Sequence, residues 1–290
     1  GVDAVPSSLA DTGCVDASDP TLPASGLIPY AVNAPFWSDG AAKERYLALP
    51  DGQRIGRTAA WDFDFPAGSV LLKSFRLAGR LIETRLLMRH PDGVWAGYTY
   101  EWNEAETAAT RVTGGKTRQV GGQTWIYPSE GECMLCHTSA AGFSLGPEIA
   151  QLNGPLAYPE SGVTANQLAT LEHIDLLSPA LPGPPDTLPA LADPANAGAP
   201  LTDRARAWLH TNCAQCHRPA GPTPSSLDLR ATTALAAMNA CNVPPQAGDF
   251  GISDPRLIAP GDAARSVLLA RVNSRDANGM PPVGSSEIDS

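Results

Sequence analysis

Short runs of apolar residues, separated by turn sequences, fill the first half of the chain. In residues 94–102, Tyr98, Tyr100 and Trp102 alternate with small or polar residues, a two-residue period typical of a strand. Similar β-prone runs lie at 45–49, 70–75 and 81–88. Asp-Gly and Gly-Gly pairs between the runs are typical of hairpin turns. The pattern predicts an antiparallel β-sandwich or open barrel over residues 25–130, with these three aromatic side chains in its core.

The second half changes to a helical period. Residues 165–177 and 205–216 carry apolar residues at helical spacing, and Thr164 and Thr202 are candidate N-caps. The intervening residues 178–200 contain seven prolines, which excludes a regular helix and favours an extended connector. Helices are therefore expected on both sides of a proline-rich linker.

These patterns predict an α+β multidomain chain. An N-terminal antiparallel β-sandwich or barrel is expected to precede two small, mostly α-helical modules. The predicted units are an extended arm at 1–24, a β domain at 25–130, a first module at 131–177, a linker at 178–200 and a second module at 201–290.

The pattern Cys-x-x-Cys-His occurs once in each predicted helical module, as Cys-Met-Leu-Cys-His at 133–137 and Cys-Ala-Gln-Cys-His at 213–217. Two thiols one helical turn apart can form thioethers with the two vinyl groups of one haem, and the adjacent histidine then ligates the iron. The sequence predicts two covalently attached haem c groups in cytochrome c-type modules. The residues predicted to hold them are Cys133, Cys136, His137, Cys213, Cys216 and His217.

Other uses of a Cys-x-x-Cys pair fit this chain less well. A thioredoxin-like redox pair needs a βαβ context, and a zinc ribbon needs two closely spaced pairs. Here the pairs lie far apart, and each is followed by a histidine that neither chemistry requires.

A six-coordinate haem also needs a second axial ligand, normally a methionine or a histidine. Met280, in a Gly-Met-Pro-Pro loop whose prolines fix the backbone, is predicted to ligate the second haem iron, with Met238 as the alternative. For the first haem the predicted ligand is His173, while Met88 and an open sixth position remain as alternatives.

Charge and cysteine content indicate the compartment and the class of partner. A net charge of −10 disfavours nucleic acid and favours protein partners with basic docking surfaces. No apolar run approaches the length of a membrane span, so we expect a processed chain without a transmembrane segment.

Covalent haem attachment in bacteria belongs to an exported, oxidising compartment. There the two remaining cysteines, Cys14 and Cys241, are predicted to form a disulfide.

With these motifs placed, the chain resembles a bacterial family of exported dihaem c-type cytochromes with an N-terminal β domain. Similar regions occur fused behind sugar-dehydrogenase-like domains that use pyrroloquinoline quinone. The matching stretches are residues 26–30, 37–40, 83–87, 125–129, 133–137, 212–219, 259–262 and 280–282. The resemblance implies electron transfer and no particular substrate.

The predicted function is electron transfer in the periplasm or another exported compartment, between a dehydrogenase or other redox protein and a downstream carrier. No catalytic residue is predicted, since Glu130 and Glu132 before the first motif are expected to be surface carboxylates. One alternative is a dihaem peroxidase or oxygenase with an open coordination position on one iron. The other is a structural role, with haems stacked from subunit to subunit.

Overall fold

A computed structural model describes residues 5–59 and 61–289. Its strands are β1 (Ile28–Pro29), β2 (Ala42–Ala48), β3 (Gly56–Arg57), β4 (Phe63–Asp64), β5 (Val70–Leu77), β6 (Arg80–Arg89), β7 (Trp95–Trp102), β8 (Ala109–Val112), β9 (Lys116–Val120), β10 (Gln123–Tyr127), β11 (Pro155–Tyr158) and β12 (Val163–Asn166). The central sheet has six antiparallel strands in the order β1-β2-β5-β6-β7-β8. Three separate hairpins pair β3 with β4, β9 with β10, and β11 with β12.

The helices of the described residues are short. They are α1 (Glu130–Cys136), α2 (Ile149–Leu152), α3 (Gln167–His173), α4 (Leu201–Cys213) and α5 (Val267–Val272). Single 3₁₀ turns lie at Leu9–Thr12, Ser139–Ala141, Pro185–Thr187, Leu235–Ala237 and Ala263–Arg265. Over the described ranges, no helix has both the length and the apolar character needed to cross a membrane.

The predicted fold class, an α+β chain with a β-sandwich or barrel followed by two small helical modules, is wrong. The protein is mostly β, with 25% strand and 19% helix, and the described residues contain neither a closed barrel nor two small α-helical cytochrome c-type haem modules. Proline ends helices because it lacks an amide donor, and the chain has 28 prolines. The alanine-rich segment at 231–239, which contains no proline, also forms only one 3₁₀ turn. The domain boundaries themselves stay predictions.

Both faces of the central sheet carry apolar clusters, because alternate residues of each strand point to opposite sides. On one face, Leu72, Leu86 and Tyr98 pack with Leu9 and Val15 of the N-terminal arm. The predicted core positions Tyr98, Tyr100 and Trp102 are confirmed, with exposures of 0%, 0% and 1%. His90 precedes a Pro-Asp-Gly turn, yet it is buried and hydrogen-bonded through Nε2 to the Tyr98 hydroxyl at 2.7 Å.

The opposite face of the sheet carries a second apolar cluster. Leu71, Leu87 and Trp95 pack there with Ile149 of α2 and Leu168 of α3. Further along the same face, β10 covers Phe75 with Trp125, whose rings meet edge to face at 5.7 Å. Between these two clusters the sheet is open, and we call this side the cavity face.

The Phe-Trp-Ser-Asp-Gly segment at 36–40 anchors the C-terminal tail. The carboxylate of Asp39, which is 3% exposed, accepts hydrogen bonds from Ser285 Oγ at 2.6 Å, Ser286 N at 2.9 Å and Glu287 N at 3.2 Å. The indole Nε1 of Trp37 donates to the Glu287 carbonyl at 2.9 Å. The end of the chain is therefore fastened to the residues that lead into β2.

Asp39→Ala is expected to release this tail. The substitution leaves the amides of Ser286 and Glu287 without their charged acceptor, and a hydrogen bond to a charged group contributes about 1.5–3 kcal/mol. Hydrogen exchange of these two amides should become faster. Asp16→Ala is the control, because that carboxylate bonds only its own loop at Ser18 and Asp19. Unchanged exchange in Asp39→Ala would contradict the anchoring role.

Candidate functional site

The first Cys-x-x-Cys-His motif lies on a helix whose start is fixed by a capping box. The Ser129 hydroxyl accepts from Glu132 N at 3.2 Å, and Glu132 Oε2 accepts from Ser129 N at 2.8 Å. Glu132 is thus an exposed carboxylate with a structural role. Because α1 begins at this point, Cys133 and Cys136 lie one turn apart on one face, and His137 ends the helix.

The imidazole of His137 is oriented by one backbone carbonyl. Its Nδ1 lies 2.6 Å from the carbonyl oxygen of Phe143, whose ring stacks on Trp95 at 6.2 Å. A carbonyl only accepts, so Nδ1 carries the proton and Nε2 keeps a free lone pair, as in histidines that ligate metals. Burial lowers the pKa of His137 to about 4, and the ring is neutral at pH 7.

Helix α1 approaches β7 closely because residue 97 has no side chain. A Cβ at Gly97 would lie 2.6 Å from Cβ and 2.9 Å from Sγ of Cys133. Sequence reasoning missed this position, although a glycine inside a strand is a known signal of close backbone approach.

The second motif lies at the end of α4. The helix runs from Leu201 to Cys213, so it starts before and ends before the predicted 205–216. Cys216 and His217 follow in one further turn, in which their amides donate to the Cys213 carbonyl at 3.1 and 2.9 Å. Burial lowers the pKa of His217, and among the described residues its buried Nδ1 has no hydrogen-bond partner.

The structure brings the two motifs together. The Cys136 thiol is hydrogen-bonded to Cys216, and the Cys216 thiol lies 3.8 Å from the Leu135 carbonyl. The hydrogen bond from Cys136 lowers the pKa of Cys216 to about 7. Arg218 adds a second link, since Nε donates to Ala214 O at 2.6 Å and Nη1 donates to Ala140 O at 3.0 Å. The predicted arrangement, in which each motif lies in its own helical module, includes no such contact between the motifs.

A cavity lies between the cavity face of the sheet, α1 and α4. The space between its side chains is about 1300 Å³, including the part that opens to solvent. Cys133, Cys136 and His137 line it from the first motif, whereas Gln215 and Arg218 line it from the second. A group attached to the first pair of thiols would therefore occupy this cavity.

Three cations line the cavity from neighbouring strands. Arg45 of β2 lies opposite Lys73 of β5, and Lys73 lies opposite Arg85 of β6. Arg85 is paired with the fully buried carboxylate of Glu83 at 2.5 Å. We call Arg45, Lys73 and Arg85 the cation row; sequence reasoning did not identify it.

An acidic pair lines the opposite side of the same cavity. The Asp62 carboxyl is hydrogen-bonded to Glu148, and burial together with the charge of Glu148 raises the pKa of Asp62 to about 6. His210 Nε2 lies 2.9 Å from Glu148 Oε1, while its Nδ1 accepts from Ala231 N at 3.1 Å. The histidine proton is therefore on Nε2 and faces Glu148.

The predicted sixth ligands are placed differently from one another. His173 is exposed at the end of α3 and does not line the cavity, and Met88 packs against the arm cluster on the other face of the sheet. Met238 is 1% exposed and packs with Ala214 beneath the second motif. Met280 lies near the second motif: its amide donates to Arg271 O at 2.9 Å, and the charge of Arg271 contributes to the low pKa of His217.

The predicted Cys14–Cys241 disulfide is not formed in the structure, where both residues are free thiols. Cys14 is 6% exposed within the arm cluster, and burial raises its pKa. Cys241 is exposed, in a short parallel bridge with Ile258 near the second motif. Each cysteine thus lies in a different part of the fold.

Comparisons give this arrangement no named relative. No protein-family model matches the chain, no curated protein matches it, and no solved structure matches it. Within the residues that the structure describes, no group of three or more histidine, cysteine or acidic side chains is arranged to hold a metal ion by itself. The two motifs and the cavity are therefore the features that bear on function.

Proposed function

We propose that the chain is a dihaem c-type cytochrome of the bacterial exported family that its sequence resembles. It would transfer electrons in the periplasm or another exported compartment, from a dehydrogenase or other redox protein to a downstream carrier. The main supporting observation is that two Cys-x-x-Cys-His motifs, distant in sequence, meet through Cys136 and Cys216. Two one-electron groups held side by side can exchange an electron within one chain.

The donor set fits covalent haem attachment. The four motif cysteines are free thiols, and within each motif the two cysteines are close enough to serve one macrocycle. His137 presents a neutral imidazole with Nε2 available, and His217 is the second candidate proximal ligand. Haem supplies reversible one-electron chemistry when bound; the chain fixes its position, excludes water and sets its electrostatic surroundings.

The charge of the chain favours a class of partner. At a net charge of −10, long-range attraction favours redox proteins with basic docking surfaces and accelerates their encounter at low salt. Association rates that fall with increasing ionic strength would agree with such docking.

Haem content tests the proposal directly. Wild-type protein produced with a cytochrome c maturation system should show two haems per chain by intact mass and by pyridine haemochrome absorbance. The Cys213→Ala, Cys216→Ala double variant should carry one, since only the first pair of thiols remains. Cys14→Ser, Cys241→Ser is the matched control and should keep two. A wild type without covalent haem would contradict the proposal.

Met280→Ala is expected to convert the second haem to a high-spin or water-ligated form and to lower its reduction potential, because loss of a thioether ligand destabilises the reduced iron. The visible and near-infrared spectra report the change. The control is Met238→Ala, which should cost about 2–5 kcal/mol of stability as a buried truncation yet leave the spectrum intact. An unchanged spectrum in Met280→Ala would show that another group is the ligand.

A dihaem peroxidase or oxygenase is the second candidate, favoured by the Asp62, Glu148 and His210 cluster. These side chains line the cavity, the pKa of Asp62 is raised to about 6, and His210 carries a proton on Nε2, as a proton donor to bound peroxide or oxygen would need. Electron paramagnetic resonance of the oxidised protein separates the candidates. Two low-spin signals support the electron carrier, whereas one high-spin haem with peroxide turnover supports the enzyme.

A further inference from the structure

We propose that the cation row, Arg45, Lys73 and Arg85, is a carboxylate-binding site that holds the propionates of the haem attached at the first motif. This inference rests on the proposed function and adds to it the residues that set the charge around one haem. It starts from the register of the central sheet.

The row stands out against its neighbour on the same face. Two residues along each strand from the cation row, Leu47 of β2, Leu71 of β5 and Leu87 of β6 lie opposite one another. They are buried in the apolar cluster. At the next position on that face, all three strands carry a cation. Like charges directly opposite on adjacent strands destabilise a sheet, so three in one row need compensation.

The protein itself supplies only part of that compensation. Arg85 has Glu83, but within the described residues neither Arg45 nor Lys73 forms an ion pair with a carboxylate. Lys73 contacts the ring of Phe75 at 5.9 Å, a weak cation–π interaction. Burial and the neighbouring cations hold the pKa of Lys73 well below its usual range. An anion between these side chains would restore the charged form.

The position of the row indicates which anion binds. The same cavity is lined by Cys133, Cys136 and His137, so a haem attached there shares it with the row. A haem carries two propionate groups, and arginine and lysine are suited to charge-assisted hydrogen bonds with carboxylates. Since the chain has 20 basic against 30 acidic residues, three cations in one enclosed row are unlike its average surface.

The experiment compares Lys73→Met, Lys73→Arg and the control Lys116→Met, all as full-length holoprotein. Lys116 is 44% exposed, lies on β9 and is paired with Glu101 at 2.7 Å. Two properties are measured: the reduction potentials by spectroelectrochemical titration, and the propionate bending modes by resonance Raman spectroscopy. The haem count is determined first for every protein.

Lys73→Met is expected to lower the potential of one of the two haems, because a cation near the iron favours the reduced state, and to shift its propionate mode. Lys73→Arg should restore both properties, while Lys116→Met should match wild type. Two haems with unchanged potentials and modes in Lys73→Met would overturn the assignment of the row. A wild type with fewer than two haems would instead contradict the proposed function.

A carboxylate from solution is the other anion that the cation row could bind. Titration with acetate distinguishes this case from binding of the haem propionates. With propionates in the row, wild-type holoprotein should show no saturable acetate binding by calorimetry. Saturable binding that Lys73→Met abolishes would overturn the propionate assignment.

Discussion

Gly97→Ala is expected to yield a protein with one haem instead of two. The added Cβ would lie 2.6 Å from Cβ and 2.9 Å from Sγ of Cys133, a separation that real Cβ contacts do not reach. Helix α1 must therefore move away from β7, and Cys133 moves with it. Overpacking of this kind costs typically about 1–3 kcal/mol, so the urea midpoint should also fall.

Gly131→Ala is the matched control for this substitution. Gly131 lies on the same helix α1, but a Cβ there meets no atom within 4 Å. Alanine in place of a helical glycine stabilises a helix by about 0.5–1 kcal/mol. Two haems in both variants would show that α1 tolerates displacement from β7.

Glu83→Gln is expected to cost about 3–5 kcal/mol, the usual penalty for removing one partner of a buried ion pair. The Glu83 side chain is 0% exposed, and its carboxylate accepts from Arg85 Nε at 2.5 Å, Arg85 Nη2 at 3.0 Å and Trp125 Nε1 at 2.9 Å. The glutamine amide carries no charge to neutralise Arg85. Like Arg45 and Lys73, Arg85 then becomes a cation of the row without a paired carboxylate among the described residues. Chemical denaturation of the holoprotein measures the loss.

The control for Glu83→Gln is the same substitution in the neighbouring pair on β2 and β5. Glu44 lies 2.8 Å from Arg76, but its side chain is 42% exposed, and surface pairs of this kind contribute about 0–1 kcal/mol. Equal effects of Glu83→Gln and Glu44→Gln would contradict the structural role assigned to the buried carboxylate.

The strands of the first half could be predicted because their pattern is local. Alternation and turn residues identified the segments that became β2, β5, β6 and β7, and the buried aromatics of β7 followed from the period of two. The hydrophobic pattern gives no sign that the N-terminal arm covers one face of the sheet, since its contribution consists of isolated residues such as Leu9 and Val15.

The second half could not be predicted in the same way. Helical periodicity was present, yet α3 begins after Asn166, whose side chain caps it, and ends at His173 because the chain then turns at Asp175, with φ +60. Prolines interrupt helix formation in much of the remaining second half of the chain. A sequence pattern reports a tendency to form helix, whereas helix length depends on packing partners that lie elsewhere in the chain.

The sequence pattern indicates a chemistry for the candidate site but gives no information on its arrangement. The motif spacing identifies thiols and imidazoles within five residues, and that information is local. The cation row is not local, because Arg45, Lys73 and Arg85 become neighbours only through strand register. The meeting of Cys136 with Cys216 depends on the placement of α4 against α1, which no periodicity reports.

The contact between Cys136 and Cys216 has a consequence for biogenesis. The hydrogen bond from Cys136 lowers the pKa of Cys216 and so favours its thiolate, the form that reacts with oxidants. In a chain without the proposed haems, we expect oxidation to link these two sulfurs, which takes one proposed attachment point from each motif. A single premature cross-link would thus block maturation at both positions. For the proposed dihaem protein, both thiols would have to stay reduced until ligation is complete.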